Sequence, residues 1–242
     1  MPTAGDAPDV PRSGGPCEDK GCLDAGQGAN TATSGASDSG CDDGAAACGT
    51  SQPTATIPNP APLPKGTTVL HIGDSMAGAL GITLNDELKK HGVRSVLRFK
   101  TASFIPTWAW SKELPVYLAQ YNPDLVVITL GTNEVQIRQP ETRIKVIQKL
   151  VARLGGRPCV WILPPLWEAG DTGLLPVIQA HAAPCRVMNT AQVFPEMPRL
   201  NDKIHPTIPA RADWSKRVVE WLGRERDPNG EKPWSFRAAT AK

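Results

Sequence analysis

The chain has 242 residues, 40% of them hydrophobic, with 24 prolines, six cysteines and a formal net charge of +2. No apolar run approaches the roughly 20 residues needed to span a bilayer, which excludes a membrane helix. The bases form no run of five or six and carry no interleaved aromatics, so the expectation is a solvated surface and no nucleic-acid partner.

Up to Lys65 the chain is Gly, Ala, Ser, Thr, Asp and Pro, with almost no Leu, Ile, Val or aromatic residue. So little apolar surface cannot offset the entropy of ordering, and residues 1–50 are expected to be a disordered polar leader. The leader holds Cys17, Cys22, Cys41 and Cys48, whose spacing, without neighbouring histidines, fits small disulfide loops better than a metal site. Residues 51–65, with five prolines in "SQPTATIPNPAPLPKG", read as an extended linker. Residues 1–65 carry eight acids against three bases, which leaves the remainder at +7. "MPTAGDAPDVPRSGG" lacks a charged start followed by an apolar stretch, so no export signal is read from it. A polar, cysteine-bearing leader is nevertheless what exported or lipid-anchored bacterial domains often carry. The expected location is extracellular, periplasmic or cell-surface anchored, with the cytoplasm as the alternative.

A domain is expected over 66–225. "TTVLHIG" predicts a first strand. "SMAGALGITLNDELKKHG" predicts a helix, with Leu80, Leu84 and Leu88 on one face and Gly92 as its stop. "VRSVLRF" is a second strand, and "TWAWSKELPVYLAQYN" a helix in two pieces, because Pro115 suits a helix start. "DLVVITL" is a third strand, apolar on both faces. "QPETRIKVIQKLVARLGG" is an amphipathic helix ended by a glycine pair. "CVWIL", a short helix in "TGLLPVIQAHA" broken by Pro176, and "CRVMNT" follow, before a closing helix in "IPARADWSKRVVEWLG". Strands alternating with helices predict an α/β fold with a five-stranded parallel sheet. Residues 226–242 are expected to be a tail, with Trp234 as a docking point. Cys159 and Cys185 each sit near a strand start, so they are either a disulfide or two inert buried thiols.

In open parallel sheets ligands bind at the carboxyl ends of the strands, which singles out "GDS", "TASF" and "GTNE", with "NDKIHPT" before the last helix. Ser75 follows Gly73 and Asp74 at a strand-to-helix turn, where either Asp74 or Ser75 is an N-cap or Ser75 is a nucleophile. His205 is a base suited to activating a serine, and Asp202, three residues earlier, reaches one ring nitrogen if the loop is tight. Asn133 in "GTNE" offers an amide NH2 to a developing oxyanion, and Gly131 lets the backbone come close. Glu134 reads as a brace for that loop. Trp108, Trp110 and Trp167 follow strand ends and suit either sugar stacking or anchoring; Trp108 and Trp167 are the candidate substrate contacts. His71, inside the first strand, reads as a core histidine.

"GDS", a G-x-N loop after the third strand and a late D-x-x-H, in that order from about Val69 to Trp221, resemble the SGNH/GDSL hydrolase family. The resemblance implies a flavodoxin-like three-layer sandwich and no metal or organic cofactor. It implies Ser75 as nucleophile, His205 as general base and acid, and Asp202 as its orienting partner, with an oxyanion hole from the Ser75 N–H and the Asn133 side chain. The family's glycine after the second strand is missing; Ala102 or Ser103 stands there, and Ser103 is taken as the third donor. The implied activity is hydrolysis of a small or polysaccharide ester through an acyl-enzyme. The alternatives are an O-acetyltransferase acting on a cell-envelope polysaccharide, and a weakly active or inactive sugar-binding module on the same fold.

Overall fold

The computed structural model describes residues 59–168 and 170–238. The expected leader, with its four cysteines, and the linker up to residue 58 lie outside the described residues. The strands are β1 (Thr68–Gly73), β2 (Arg94–Phe99), β3 (Leu125–Thr129), β4 (Cys159–Ile162) and β5 (Arg186–Met188). All neighbours run parallel, in the order β2-β1-β3-β4-β5. After β1 the chain crosses to β2 at the edge and then returns to β3 on the other side of β1. The strand order therefore reverses between β1 and β3, and parallel sheets of this kind open a ligand crevice at such a point, outside the carboxyl ends. Register aligns those ends: Gly73 pairs with Phe99 on one side and Thr129 on the other.

The helices are α1 (Ser75–Lys90), α2 (Ile105–Ala109), α3 (Glu113–Tyr121), α4 (Ile144–Ala152), α5 (Leu174–His181), α6 (Thr190–Val193) and α7 (Ile208–Glu225). Alternate strand residues face opposite layers. Val69, Val127, Val160 and Ile162 pack with Met76, Leu80, Leu84 and Leu88 of α1 and with Trp214, Val218 and Leu222 of α7. Leu70, Ile72, Val126, Ile128 and Trp161 pack with Ile105, Leu114, Ile147, Leu150 and Ile178 of α2 to α5. The result is the expected three-layer α/β sandwich. Asp74 caps α1 by accepting the Met76 N–H at 2.8 Å, and Lys89 and Lys90 complement the dipole in its last turn. Thr207 caps α7, with Pro209 in its first turn.

Two helices differ from expectation, and the tail docks through Trp234 as expected. Pro176 lies in the first turn of α5 and does not break it, because the first-turn N–H groups have no intrahelical acceptor to lose. The helix expected from Gln139 begins as a 3-10 turn, Pro140–Arg143, and α4 proper starts at Ile144. Residues 226–238 pack on the domain. The Trp234 side chain is fully buried, with its indole N–H on Thr67 Oγ1 at 3.0 Å, and Arg226 bridges to Phe236. Residues 59–65 also pack: Ala61 N–H donates to the Gly223 carbonyl at 2.8 Å, and a Cβ on Gly223 would stand 2.8 Å from the Ala61 oxygen. Cys159 and Cys185 form a disulfide, Cα to Cα 4.6 Å, joining the first residue of β4 to the residue before β5.

Candidate active site

The turn from β1 into α1 has room for one residue type at its first position. A Cβ on Gly73 would lie 2.0 Å from the Thr129 carbonyl oxygen and 2.6 Å from Ala77 Cβ, so a side chain there would force β1 and β3 apart. Asp74 follows, fully buried, with its N–H on the Thr129 carbonyl and its carboxylate on the Met76 N–H and the Thr132 hydroxyl. Burial pushes its pKa up from 3.8 to about 6, against the pull of those hydrogen bonds. Asp74 does the capping, and the Ser75 hydroxyl is left to face outward from the first position of α1.

Ser75 Oγ lies 2.8 Å from His205 Nε2, and His205 Nδ1 lies 2.8 Å from Asp202 Oδ2. A carboxylate accepting from Nδ1–H leaves Nε2 as the acceptor for the serine hydroxyl. The base stands on a tight hairpin: the Leu200 N–H donates to the His205 carbonyl at 2.7 Å, the Thr207 N–H to Pro198 at 3.0 Å, and Arg199 bridges to Pro206. Asp202 Oδ1 also accepts the Ile204 and His205 N–H groups, each at 2.9 Å. The hydrogen bonds from the His205 backbone and ring, then that from Ile204, hold its pKa down at about 2, so it is ionised at any ordinary pH.

The loop after β3 starts at Gly131, whose φ of +122° excludes a side chain without strain. Asn133 donates from Nδ2 to the Ser103 carbonyl at 2.9 Å, which occupies one of its two N–H bonds and leaves the second. Glu134 is buried and braces two segments: Oε2 accepts the Ile105 N–H at 2.6 Å and Oε1 accepts Arg143 Nε at 2.5 Å.

Two expected residues are placed otherwise. The Ser103 N–H donates to the Lys100 carbonyl at 3.2 Å, so the donor expected of it closes its own turn. Ala102, not Ser103, holds the glycine-like conformation, with φ +54°, and its N–H makes no hydrogen bond among the described residues. Trp108 is buried in the core and donates its indole N–H to Ser103 Oγ at 3.0 Å, so it cannot meet a substrate; it anchors the loop from behind. Trp110 is exposed with the Lys149 ammonium 5.1 Å from its ring centre. Periodicity could not separate these tryptophans, because α2 is only five residues long.

Trp167 does line a cavity of about 240 Å³ with Ser75 and His205, beside Asn133, Thr132 and Gln136 and the apolar Val135 and Ile204. Ile204 lies within the same motif as the base and escaped notice as a loop residue. A larger cavity, about 530 Å³, lies between residues 60–63 and the α1 and α7 helices, but no serine, threonine or cysteine lines it. Among the described residues no group of three or more His, Cys, Asp or Glu side chains could hold a metal ion, and no helix is long and apolar enough to cross a membrane.

Residues 68–167 match a family described as a protein of unknown function, DUF459; the match spans the Ser75 and Asn133 loops and stops before Asp202. No curated protein matches the sequence. Among solved structures, TesA is 23% identical with a TM-score of 0.52, covering 62% of this chain and 95% of its own. A GDSL-like protein from Parabacteroides merdae is 14% identical with a TM-score of 0.51, covering 68% and 100%. Axe2, an acetylxylan esterase from Geobacillus stearothermophilus, is 16% identical with a TM-score of 0.50, covering 65% and 94%. The fold is that of the GDSL/SGNH esterases. On this fold the chain carries the GDS turn, the G-x-N loop and the D-x-x-H hairpin in that order.

Proposed function

We propose that the chain is a serine ester hydrolase of the SGNH type that removes a small acyl group from a carbohydrate or other small ester. One observation carries the reading: the unbroken chain of 2.8 Å contacts from Ser75 Oγ through the His205 ring to Asp202. Ser75 Oγ attacks the ester carbonyl carbon while His205 Nε2 takes its proton, and Asp202 stabilises the imidazolium without accepting that proton. The carbonyl becomes an oxyanion, met by the Ser75 N–H at the α1 terminus, the second Asn133 N–H and the Ala102 N–H. Collapse breaks the bond to the alcohol oxygen, which leaves with the proton from His205. Water then attacks the acyl-enzyme, gives a proton to His205, and the acid departs as Ser75 Oγ recovers its proton.

A cavity of about 240 Å³ falls below the ~300–1,000 Å³ of clefts that enclose a drug-sized ligand, which supports a short acyl group with the alcohol outside. Trp167 offers that alcohol an aromatic face. The Cys159–Cys185 bridge supports an oxidising location outside the cytoplasm; alkylation of both thiols in protein isolated without reductant would contradict it. The full chain is expected to release p-nitrophenol from its acetate ester, and Ser75→Ala to lower turnover by on the order of 10⁴-fold or more with the circular dichroism spectrum unchanged. Equal rates in the two proteins would sink the proposal. With an oligosaccharide acceptor present, acetyl appearing on the acceptor instead of as acetate would favour the transferase alternative.

A further inference from the structure

The hairpin that carries the base and the loop that carries Trp167 come from different parts of the chain, and both line the cleft. One side chain joins them. Arg199 donates from Nη1 to the Ile204 carbonyl, inside the hairpin, and from Nη2 to the Leu166 carbonyl, one residue before Trp167. No other hydrogen bond among the described residues crosses between residues 164–168 and 198–207. Each acceptor belongs to, or adjoins, a residue lining the cavity, whereas Arg199 does not line it. Burial lowers the Arg199 pKa, and Asp202, the carboxylate that orients His205, in turn raises it against that burial.

We infer that Arg199 is a positioning residue: its guanidinium fork fixes the Asp202–His205 hairpin against the Trp167 loop and sets the spacing between the general base and the surface that receives the alcohol. The inference rests on the esterase reading. A planar fork reaches two carbonyls at a fixed angle, which a single ammonium cannot, and charge-assisted bonds of this kind are stronger than neutral ones. Misplacement of a catalytic group by about 1 Å costs on the order of 10²-fold in rate, so a hinge at this joint is felt at the chemistry.

The test compares the full chain with Arg199→Ala and Arg199→Lys on p-nitrophenyl acetate and on an acetylated xylo-oligosaccharide, across pH. For Arg199→Ala, kcat/KM is expected to fall on the order of tenfold or more on the oligosaccharide, in kcat as well as KM, and less on the nitrophenyl ester, whose leaving group needs no proton from His205. Arg199→Lys should restore only part of the loss. The pH profile of kcat/KM should also change in Arg199→Ala, because a hairpin released from the fork no longer holds the His205–Asp202 pair in one geometry. A lowered melting temperature with kcat, KM and the pH profile all unchanged would overturn the positioning role. If the wild type hydrolyses neither ester, the esterase reading falls by itself, and the clamp is read from the downfield proton resonance of the His205–Asp202 hydrogen bond. That resonance should be present in the wild type and lost in Arg199→Ala; its persistence there overturns the inference.

Discussion

Ala102 carries a cost that a glycine would not. A φ of +54° puts its Cβ against the neighbouring carbonyl, a conformation that costs an L-residue roughly 1–2 kcal/mol. The loop is held there from several sides: Asn133 pins the Ser103 carbonyl, Trp108 pins the Ser103 hydroxyl, and Glu134 pins the Ile105 N–H. If the Ala102 N–H is an oxyanion donor, the backbone angle matters and the methyl group does not. Ala102→Gly should therefore keep turnover within about threefold of wild type, while Ala102→Val, stiff and crowded at positive φ, should lower kcat by roughly tenfold or more; a missing donor costs up to about 10³. Initial rates on p-nitrophenyl acetate check both, and a fully active valine variant would remove this loop from the mechanism. Ser75, Asn133, Asp202 and His205 were legible in the sequence because each sits in a short motif whose spacing alone brings backbone and side chain to one edge. Which of Ala102 and Ser103 takes the glycine-like conformation was not, because an alanine held left-handed by distant partners looks like any other alanine.

At the scale of elements, alternation of apolar blocks was enough to read five parallel strands and the helices between them, since β1, β3 and β4 are apolar in the way that two-sided burial requires, while the edge strands β2 and β5 are only partly buried. What stayed hidden depends on partners far along the chain. Gly78 and Gly81 leave α1 bare where Phe99 and Leu97 of β2 press in, with Phe99 Cε2 2.6 Å and Leu97 Cδ1 2.5 Å from where a Cβ would stand. As residues of a helix pattern these glycines are merely weak positions. The 3-10 turn before α4 brings Arg143 to Glu134, and the segment after α7 is held by the buried Trp234 on the Thr67 hydroxyl together with the Arg226–Phe236 bridge. The disulfide is likewise a matter of neighbours: β4 and β5 pair, so Cys159 and Cys185 meet across 26 residues of sequence. Closing a loop of that length removes chain entropy worth about 3.5 kcal/mol from the unfolded state. Replacing both cysteines, Cys159→Ala with Cys185→Ala, should lower the free energy of urea unfolding by about that much while leaving the ester hydrolysis rate within about twofold; an unchanged urea midpoint would show that the bridge does not constrain the unfolded chain.

Over the whole molecule, two buried groups among the described residues, His71 on β1 and Asp74 at the turn after it, have opposite effects on stability in acid. His71 lies on β1 with Nε2 on Thr129 Oγ1 at 2.9 Å and no partner for Nδ1, and burial lowers its pKa from 6.5 to about 3. Between those values the unfolded chain binds a proton that the folded one refuses, so the His71 contribution falls as pH falls. Asp74 behaves oppositely: with its pKa raised from 3.8 to about 6, the folded protein takes up a proton that the unfolded chain does not, and its contribution rises as pH falls across that window. Each slope has a magnitude of about 1.4 kcal/mol per pH unit, so between about pH 6 and 4 the two cancel and the wild type should hold a nearly constant urea midpoint. Below that window Asp74 is protonated in both states, His71 continues to weaken the fold, and Asp202, its pKa held at about 2, adds a second loss in the same direction. Asp74→Asn keeps a side-chain oxygen for the Met76 N–H but removes the compensating titration. That variant should lose about 1.4 kcal/mol of stability for each pH unit between 6 and 4 where the wild type loses almost none. Urea titrations at pH 4, 5, 6 and 7 distinguish the two; parallel curves for both proteins would mean that Asp74 does not take up its proton in the folded state.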